Sequence, residues 1–251
     1  MVQKPEAKIV MLTAYDCPSA SIADRAGVDI ILVGDSAANA VHGMKSTAEI
    51  GMDEMLVHAR AVARANPKAL VVGDMPANSY GTPQIALENA RKFIGAGAGA
   101  VKIEGAKIEV VEFLAGHGIK VMGHLGYLPQ TDLKPKVKGR EESEADGLAS
   151  AAKNLEKAGA SWLVLELVPE PVAKRVTESI SIPTIGIGAG RYCGGQVLVF
   201  HDLLGLNPDD SFRPKFLKRY ADLKTLAAEA VKKYAQDVRD GKFPAEENTY
   251  T

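Results

Sequence analysis

The sequence predicts a single (β/α)8 barrel with extra C-terminal helices, and three observations carry that prediction. Eight short runs rich in Val and Ile recur along the chain, each followed by a turn and a longer segment of helical periodicity, the pattern of parallel strands joined by crossover helices. The length of 251 residues suits one barrel, whereas a doubly wound open sheet needs only about five or six strands. No Gly/Ser linker, charge block or low-complexity stretch divides the chain, so residues 1–251 are expected to form one domain, with a C-terminal helical segment at about 214–241.

The strand candidates are Lys8–Tyr15, Asp29–Gly34, Ala69–Gly73, Ala100–Glu104, Lys120–Gly123, Ser161–Leu167, Pro183–Gly188 and Gln196–Phe200. Their nearly continuous apolar character marks strands covered on both faces. Between them, Ser19–Ala26 reads as a helix closed by Gly27, and Thr47–Ala65 as a long Ala-rich helix that stops before Pro67. Pro83 is a first-turn proline ahead of Ile85–Ala96. In Glu142–Ala158 the apolar residues Leu148, Ala151, Ala152, Leu155 and Ala158 fall at helical spacing, and Gly159 closes the helix. Pro171–Ser179 precedes the strand entry at Ile182-Pro183. Lys215–Asp240 is helical by composition, with an apolar stripe of Leu217, Tyr220, Leu223, Leu226, Ala227 and Val231. Tyr127–Ser143, with Pro129, Lys134, Pro135, Lys136, Lys138 and Arg140, reads as a long loop, a feature that is often a lid or binding loop in a compact domain.

Composition excludes several function classes. With 46% hydrophobic and 24% charged residues the chain is an ordinary globular protein, and 30 Lys plus Arg against 31 Asp plus Glu leave no basic field to hold a nucleic acid. Cys17 and Cys193 have no companion at zinc or redox spacing and are expected to be structural, which fits a reducing cytoplasm. No apolar run approaches the roughly 20 residues needed to cross a bilayer, and Met1–Asp16 lacks the apolar stretch of a signal peptide, so a cytoplasmic location without membrane contact is expected.

In barrels of this type the chemistry sits where strands run into βα loops. Asp35-Ser36 ends the second strand, Asp74 the third, Lys102 and Glu104 lie on the fourth, His124 follows the fifth and Glu166 ends the sixth. One strand-end Asp more often caps a helix or makes an ion pair. Asp35, Asp74 and Glu104 at three successive strand ends are instead a set of hard oxygen donors suited to Mg²⁺, because clustered carboxylates repel unless a cation or proton sits among them. Lys102 and Glu104 share the face opposite Val101 and Ile103, where a Lys needs an anion beside it; a structural Lys/Glu pair explains the alternation nearly as well. Glu166 closes the apolar run Trp162–Leu165, a setting that suits a general base, although Lys174 and Arg175 are near enough to pair with it. His124 either orients substrate or satisfies a backbone carbonyl. Gly186-Ile-Gly-Ala-Gly190 lacks the remaining parts of a dinucleotide fingerprint and reads as close backbone approach at the barrel mouth, toward an anionic group of a ligand.

Several motifs occur together and in order: Thr13-Ala-Tyr-Asp16, Val33-Gly-Asp-Ser36, Gly73-Asp-Met-Pro76 with Ser79-Tyr80, and Val101-Lys-Ile-Glu-Gly105. They continue with Gly123-His-Leu-Gly126 and Pro129-Gln130, Leu163-Val-Leu-Glu166, and Ile185-Gly-Ile-Gly-Ala-Gly190. With Gly195–Asp202, Pro214–Phe216 and Phe243–Glu247, the set resembles the ketopantoate hydroxymethyltransferase family of the phosphoenolpyruvate/pyruvate barrel superfamily over nearly the whole chain. The resemblance implies Mg²⁺-dependent transfer of a hydroxymethyl group from 5,10-methylenetetrahydrofolate to 3-methyl-2-oxobutanoate through a metal-stabilised enolate, giving 2-dehydropantoate for pantothenate and coenzyme A biosynthesis. By motif position it implies Asp35, Asp74 and Glu104 as metal ligands, Asp35, Ser36, Asp74, Lys102 and His124 as substrate contacts, and Glu166 as the proton acceptor. It also implies a ring-type homo-oligomer, a decamer by family likeness, whose small-molecule partners are the 2-oxo acid and the folate.

The chain departs from the family pattern at Ala37-Ala-Asn39, where Leu-Gly is usual, at Ala77-Asn78, where Phe is usual, and in Thr131–Arg140, which is shorter. These positions flank the expected pocket, and the alternative they keep open is a superfamily lyase or mutase acting on another 2-oxo acid without folate. A non-catalytic barrel that binds a small anion is the reading from a different class; it predicts that losing Asp35, Asp74 or Glu166 changes no turnover.

Overall fold

The computed structural model describes residues 7–132, 134–207 and 213–250. Two compact units divide the chain, Met1–Phe200 and His201–Thr251.

In the first unit the strands β1 (Ile9–Thr13), β2 (Ile30–Val33), β3 (Leu70–Asp74), β4 (Ala100–Glu104), β5 (Val121–Gly126), β6 (Trp162–Glu166), β7 (Thr184–Ile187) and β8 (Gly195–Leu198) form a closed barrel in sequence order, every neighbouring pair parallel. Between strands lie α1 (Cys17–Arg25), α2 (Ala37–Ala40), α3 (Met52–Ala63), α4 (Pro83–Gly95), α5 (Ile108–Gly116), α6 (Glu142–Lys157) and α7 (Glu170–Ser179). The predicted (β/α)8 class is the observed one, with strand limits shifted by a residue or two. His124 is the main exception: β5 runs on to Gly126, so this residue lies inside the strand rather than after it.

Helix corrections have local causes. The expected Thr47–Ala65 helix is two pieces, a 3₁₀ turn at Thr47–Glu49 capped by Ser46 and then α3, because Ile50 is extended and Gly51 starts a new helix as its N-cap. The short α2 and α5 were not expected; α5 has its buried Val110, Val111 and Leu114 within two turns, too short a stretch for periodicity to stand out. Phe200, read as strand, begins α8 (Phe200–Leu204), which carries the chain into the second unit. There, α9 (Leu223–Arg239) follows residues 213–222, which are not helical, so the expected Lys215–Asp240 helix starts late, at the Asp222 cap. Leu217 and Tyr220 of the expected stripe precede the helix, and α9 buries none of its residues.

Inside the barrel the period of two sorts residues by height. Ile9 and Met11, Ile30 and Leu32, Val72, Ala100, Met122, Trp162 and Val164, Ile185 and Val197 form one apolar plug. Continuing along the same inward face, β3, β4, β5 and β6 reach Asp74, Lys102 and Glu104, His124 and Glu166, so the polar residues sit above the plug at the carboxyl ends of the strands. The plug keeps water out from below, which leaves these groups partly desolvated and their mutual electrostatics strong.

Gly126 shows how closely β5 and β6 approach at that end. Its φ is +99°, and a Cβ would lie 2.1 Å from the backbone oxygen of Glu166. Gly126→Ala is therefore expected to destabilise the protein by about 1–3 kcal/mol from overpacking alone, and to displace Glu166. Urea unfolding checks the first effect; an unchanged midpoint would contradict the close approach.

Candidate active site

One open pocket of about 540 Å³, counting its mouth, lies at the carboxyl end of the barrel, and Asp35, Ser36, Asp74, Lys102, Glu104, His124 and Glu166 all line it. Every site residue expected from the sequence thus faces one space.

Strand register arranges the charges. Asp74 on β3 is paired with Lys102 on β4, and Glu104 on β4 with His124 on β5, so each carboxylate has a cationic group as its neighbour on the adjacent strand. Lys102 Nζ is 2.6 Å from Asp74 Oδ1 and 3.9 Å from Glu104 Oε1, with both partners buried. Burial by itself would lower the Lys102 pKa, but Asp74, Asp35 and Glu104 together raise it, so the ammonium stays charged. Asp35 is the opposite case: its pKa is raised well above the usual carboxylate range, first by burial and then by Asp74, with Lys102 opposing.

His124 is held between two carboxylates, Nδ1 3.4 Å from Glu104 Oε1 and Nε2 3.2 Å from Glu166 Oε2, with each nitrogen off the line of a good hydrogen bond. Burial would lower its pKa, but Glu104 and Glu166 raise it to about 9. This replaces the backbone-carbonyl partner weighed for an isolated histidine. The pairing of Glu166 with Lys174 or Arg175 is likewise not found: Lys174 faces Glu178, and Arg175 reaches Glu142 and Asp146.

The His124 shift carries a pH dependence. The folded protein holds the proton up to about pH 9, while an ordinary imidazole releases it near 6.5, so the stabilisation is present in full below pH 6.5 and is lost as pH rises through about 9. Metal-free wild type is expected to lose urea resistance between pH 6.5 and 9, and His124→Asn to be flatter over that window. Parallel curves for the two proteins would refute the assignment.

Asp35, Asp74 and Glu104 suit a hard divalent cation on two observations. Glu104 Oε1 is a buried acceptor with no hydrogen-bond partner, and the neighbouring carboxylates Asp74 and Glu104 add to burial in raising the Asp35 pKa. Among the described residues no three His, Cys, Asp or Glu side chains are grouped closely enough to hold a metal ion by themselves, so these carboxylates supply part of a coordination shell rather than a complete one. A cation bound here would take further oxygens from water and substrate, as Mg²⁺ commonly does.

Some residues around the site were not singled out as site residues. Tyr15 Oη lies 2.8 Å from Ser36 Oγ and accepts a hydrogen bond from Thr13 Oγ1 at 2.9 Å, which fixes Ser36 at the pocket wall. Gln130, in the loop after β5, reaches Asp35 and Glu104. Tyr127, beside Glu166, has its phenol pushed up to about 12 by burial and by that carboxylate. Two glycines of the motif, Gly186 within β7 and Gly190 after it, are explained by the protein itself rather than by a ligand: a Cβ on Gly186 would meet Cys193 Sγ at 3.0 Å, and one on Gly190 would meet Glu170 at 2.6 Å. Cys193 is buried, whereas Cys17 is exposed, so a core role holds for only one of the two cysteines.

The family model of ketopantoate hydroxymethyltransferase matches residues 1–246. The chain belongs to the ketopantoate hydroxymethyltransferase family. Relatives called 3-methyl-2-oxobutanoate hydroxymethyltransferase include that of Thermotoga neapolitana, 53% identical over 99% of this chain and 93% of the relative. That of Ignicoccus hospitalis is 51% identical over 95% and 92%. Among solved structures, 2,3-dimethylmalate lyase, a PEP mutase/isocitrate lyase superfamily member, matches with a TM-score of 0.62 at 19% identity, covering 98% of this chain and 88% of that one. Phosphonopyruvate hydrolase, solved with oxalate and Mg²⁺, matches with a TM-score of 0.63 at 14% identity, covering 96% and 88%. These structures share the barrel fold of this chain. No helix among its described residues is long and apolar enough to cross a membrane.

Proposed function

We propose that this pocket transfers a hydroxymethyl group from 5,10-methylenetetrahydrofolate to 3-methyl-2-oxobutanoate, giving 2-dehydropantoate and tetrahydrofolate, a step toward pantothenate and coenzyme A. The observation that carries the reading is the placement of a carboxylate, Glu166, and a cation, Lys102, in one pocket with three oxygen donors. A base and a positive charge on either side of a 2-oxo acid are what removal of its C3 proton requires.

Asp35, Asp74 and Glu104 would hold Mg²⁺, with Asp35 and Asp74 also facing the keto acid. Bound there, Mg²⁺ supplies Lewis-acid polarisation of the keto acid's oxygens. Ser36, steadied by Tyr15, donates to the substrate carboxylate. Glu166 takes the proton from C3, and the His124 imidazolium beside it keeps the carboxylate oriented for that task. Lys102 places positive charge near the oxygen that becomes negative as the proton leaves. C3 then bonds to the one-carbon unit, whose bonds to the folate nitrogens break; one water contributes the hydroxyl oxygen, and tetrahydrofolate is released. The reading extends to a cytoplasmic enzyme that assembles as a ring-type homo-oligomer, supported by the exposed Leu226 and Val231 on α9.

The test is NMR of deuterium exchange at C3 of 3-methyl-2-oxobutanoate with Mg²⁺, with and without tetrahydrofolate, and then product formation from formaldehyde and tetrahydrofolate. Exchange with 2-dehydropantoate formation is the expected result. Exchange without product would point to a folate-independent lyase or mutase, and no exchange at all would overturn the catalytic reading.

A further inference from the structure

Gln130 belongs to the loop after β5, yet it is buried at 7% exposure and joins three other segments of the chain, the ends of β2 and β4 and the loop between β3 and α4. Its side-chain Nε2 donates to Asp35 Oδ2 at 2.9 Å and to the Met75 carbonyl at 3.0 Å. Oε1 accepts from the Tyr80 hydroxyl at 2.5 Å, and the backbone N–H donates to Glu104 Oε2 at 3.2 Å. The amide has only one tenable orientation. Turned over, its oxygen would face a carboxylate and a carbonyl, two acceptors, so the Asp35 and Met75 contacts require Nε2 on that side and Tyr80 completes the arrangement as donor.

These bonds are selective among the carboxylate oxygens. Gln130 takes Oε2 of Glu104, while Oε1 of the same group is the buried acceptor without a hydrogen-bond partner. Lys102 reaches Asp74 at 2.6 Å but makes no comparably close contact with Asp35, so the hydrogen bond that holds the Asp35 side chain comes from Gln130. A plain loop anchor needs only backbone or uncharged partners; here two of the four bonds end on carboxylates lining the pocket.

We propose that Gln130 is a positioning residue: from the loop after β5 it sets the orientation of the Asp35 and Glu104 carboxylates, so that seating of this loop and ordering of the oxygen donors are one event. The proposal rests on the reading of Asp35, Asp74 and Glu104 as donors to a divalent cation. Groups that orient metal ligands typically govern affinity by about 10- to 100-fold when removed.

The experiment uses the full chain with Mn²⁺ as the probe, its free concentration read by EPR in the presence of 3-methyl-2-oxobutanoate, beside thermal melting of the metal-free proteins. Gln130→Met keeps the length of the side chain and removes its polar atoms. It is expected to weaken Mn²⁺ binding about 10- to 100-fold and to slow C3 exchange by a similar factor with little change in KM for the keto acid. Tyr80→Phe removes the donor to Oε1 and is expected to weaken Mn²⁺ binding about fivefold, as for one hydrogen bond. In the double variant the effects should not add, because both act through the same amide. Mn²⁺ affinity of Gln130→Met within twofold of wild type would overturn the proposal, whatever happens to melting. Should Gln130→Met fail to fold, Tyr80→Phe decides it, and unchanged affinity there overturns it equally. Wild type that binds no Mn²⁺ would remove the proposal together with the metal reading, whereas normal wild-type binding with an unaffected variant removes the role of Gln130 alone.

Discussion

Glu166→Gln is expected to slow deuterium exchange at C3 of 3-methyl-2-oxobutanoate by about 10²- to 10⁴-fold, the range for loss of a positioned general base. The amide keeps the shape and polarity of the carboxylate but has no capacity to take a proton. Glu166 is the carboxylate of the pocket best suited to that role. Asp74 is engaged with the Lys102 ammonium, Glu104 with His124 and Gln130, and Asp35 with Gln130. Glu166 contacts His124 through Oε2, and its side chain retains 17% exposure toward the pocket. Mn²⁺ binding by Glu166→Gln should stay near wild type, since the residue is outside the proposed donor set. Exchange at more than a tenth of the wild-type rate would remove Glu166 as the base, and loss of Mn²⁺ binding with it would reassign the residue to the metal.

The second large effect is expected from Lys102→Met. The substitution keeps the apolar stem and deletes the charge, leaving Asp35, Asp74 and Glu104 crowded without their shared ammonium. Breaking a buried ion pair by removing one partner costs about 3–5 kcal/mol, and for a chain of this size each kcal/mol lowers Tm by roughly 2–4 °C. Two further signatures separate repulsion from lost packing. The deficit should shrink at acidic pH, because Lys102 is a group that lowers the Asp35 pKa and its removal lets a carboxylate accept a proton more readily. It should shrink also on adding Mg²⁺, which replaces the missing charge. Melting curves at pH 5 and 7.5, with and without Mg²⁺, check both; a Tm deficit unaltered by pH and by Mg²⁺ would show that the loss is one of packing.

Much of this site is legible in the chain because strand geometry is local. In Val101-Lys-Ile-Glu-Gly105 the period of two places Lys102 and Glu104 on one face, and the structure shows that face to be the barrel interior above the plug at Ala100. Asp74 and Glu166 stand out for a similar reason: each ends a run of apolar residues, and polarity at that point of a doubly covered strand has few structural uses. Gln130 gives no such signal. Its partners lie 26, 50, 55 and 95 residues away in sequence, and no periodicity links a loop residue to them. Tyr15 is equally silent, since its hydroxyl meets Ser36 only after β1 and β2 have paired. The helices divide in the same way. Pro83 and the Thr82 cap mark α4 from within, whereas the break between the 3₁₀ turn and α3 depends on a capping box at Ser46 and an extended Ile50 in an otherwise helical composition.

By itself, the sequence determined the strand count, the barrel class, the family and the set of ionisable residues that face the pocket, because each follows from patterns confined to a few consecutive residues or from motif order. Only the tertiary structure decided which charge answers which. Register sets Asp74 against Lys102 and Glu104 against His124, and loop closure brings Gln130 onto two of the carboxylates. The physical reason is that a pairwise electrostatic energy depends on separation and burial, and both quantities come into being only when the strands close into a ring whose apolar plug keeps water out from below.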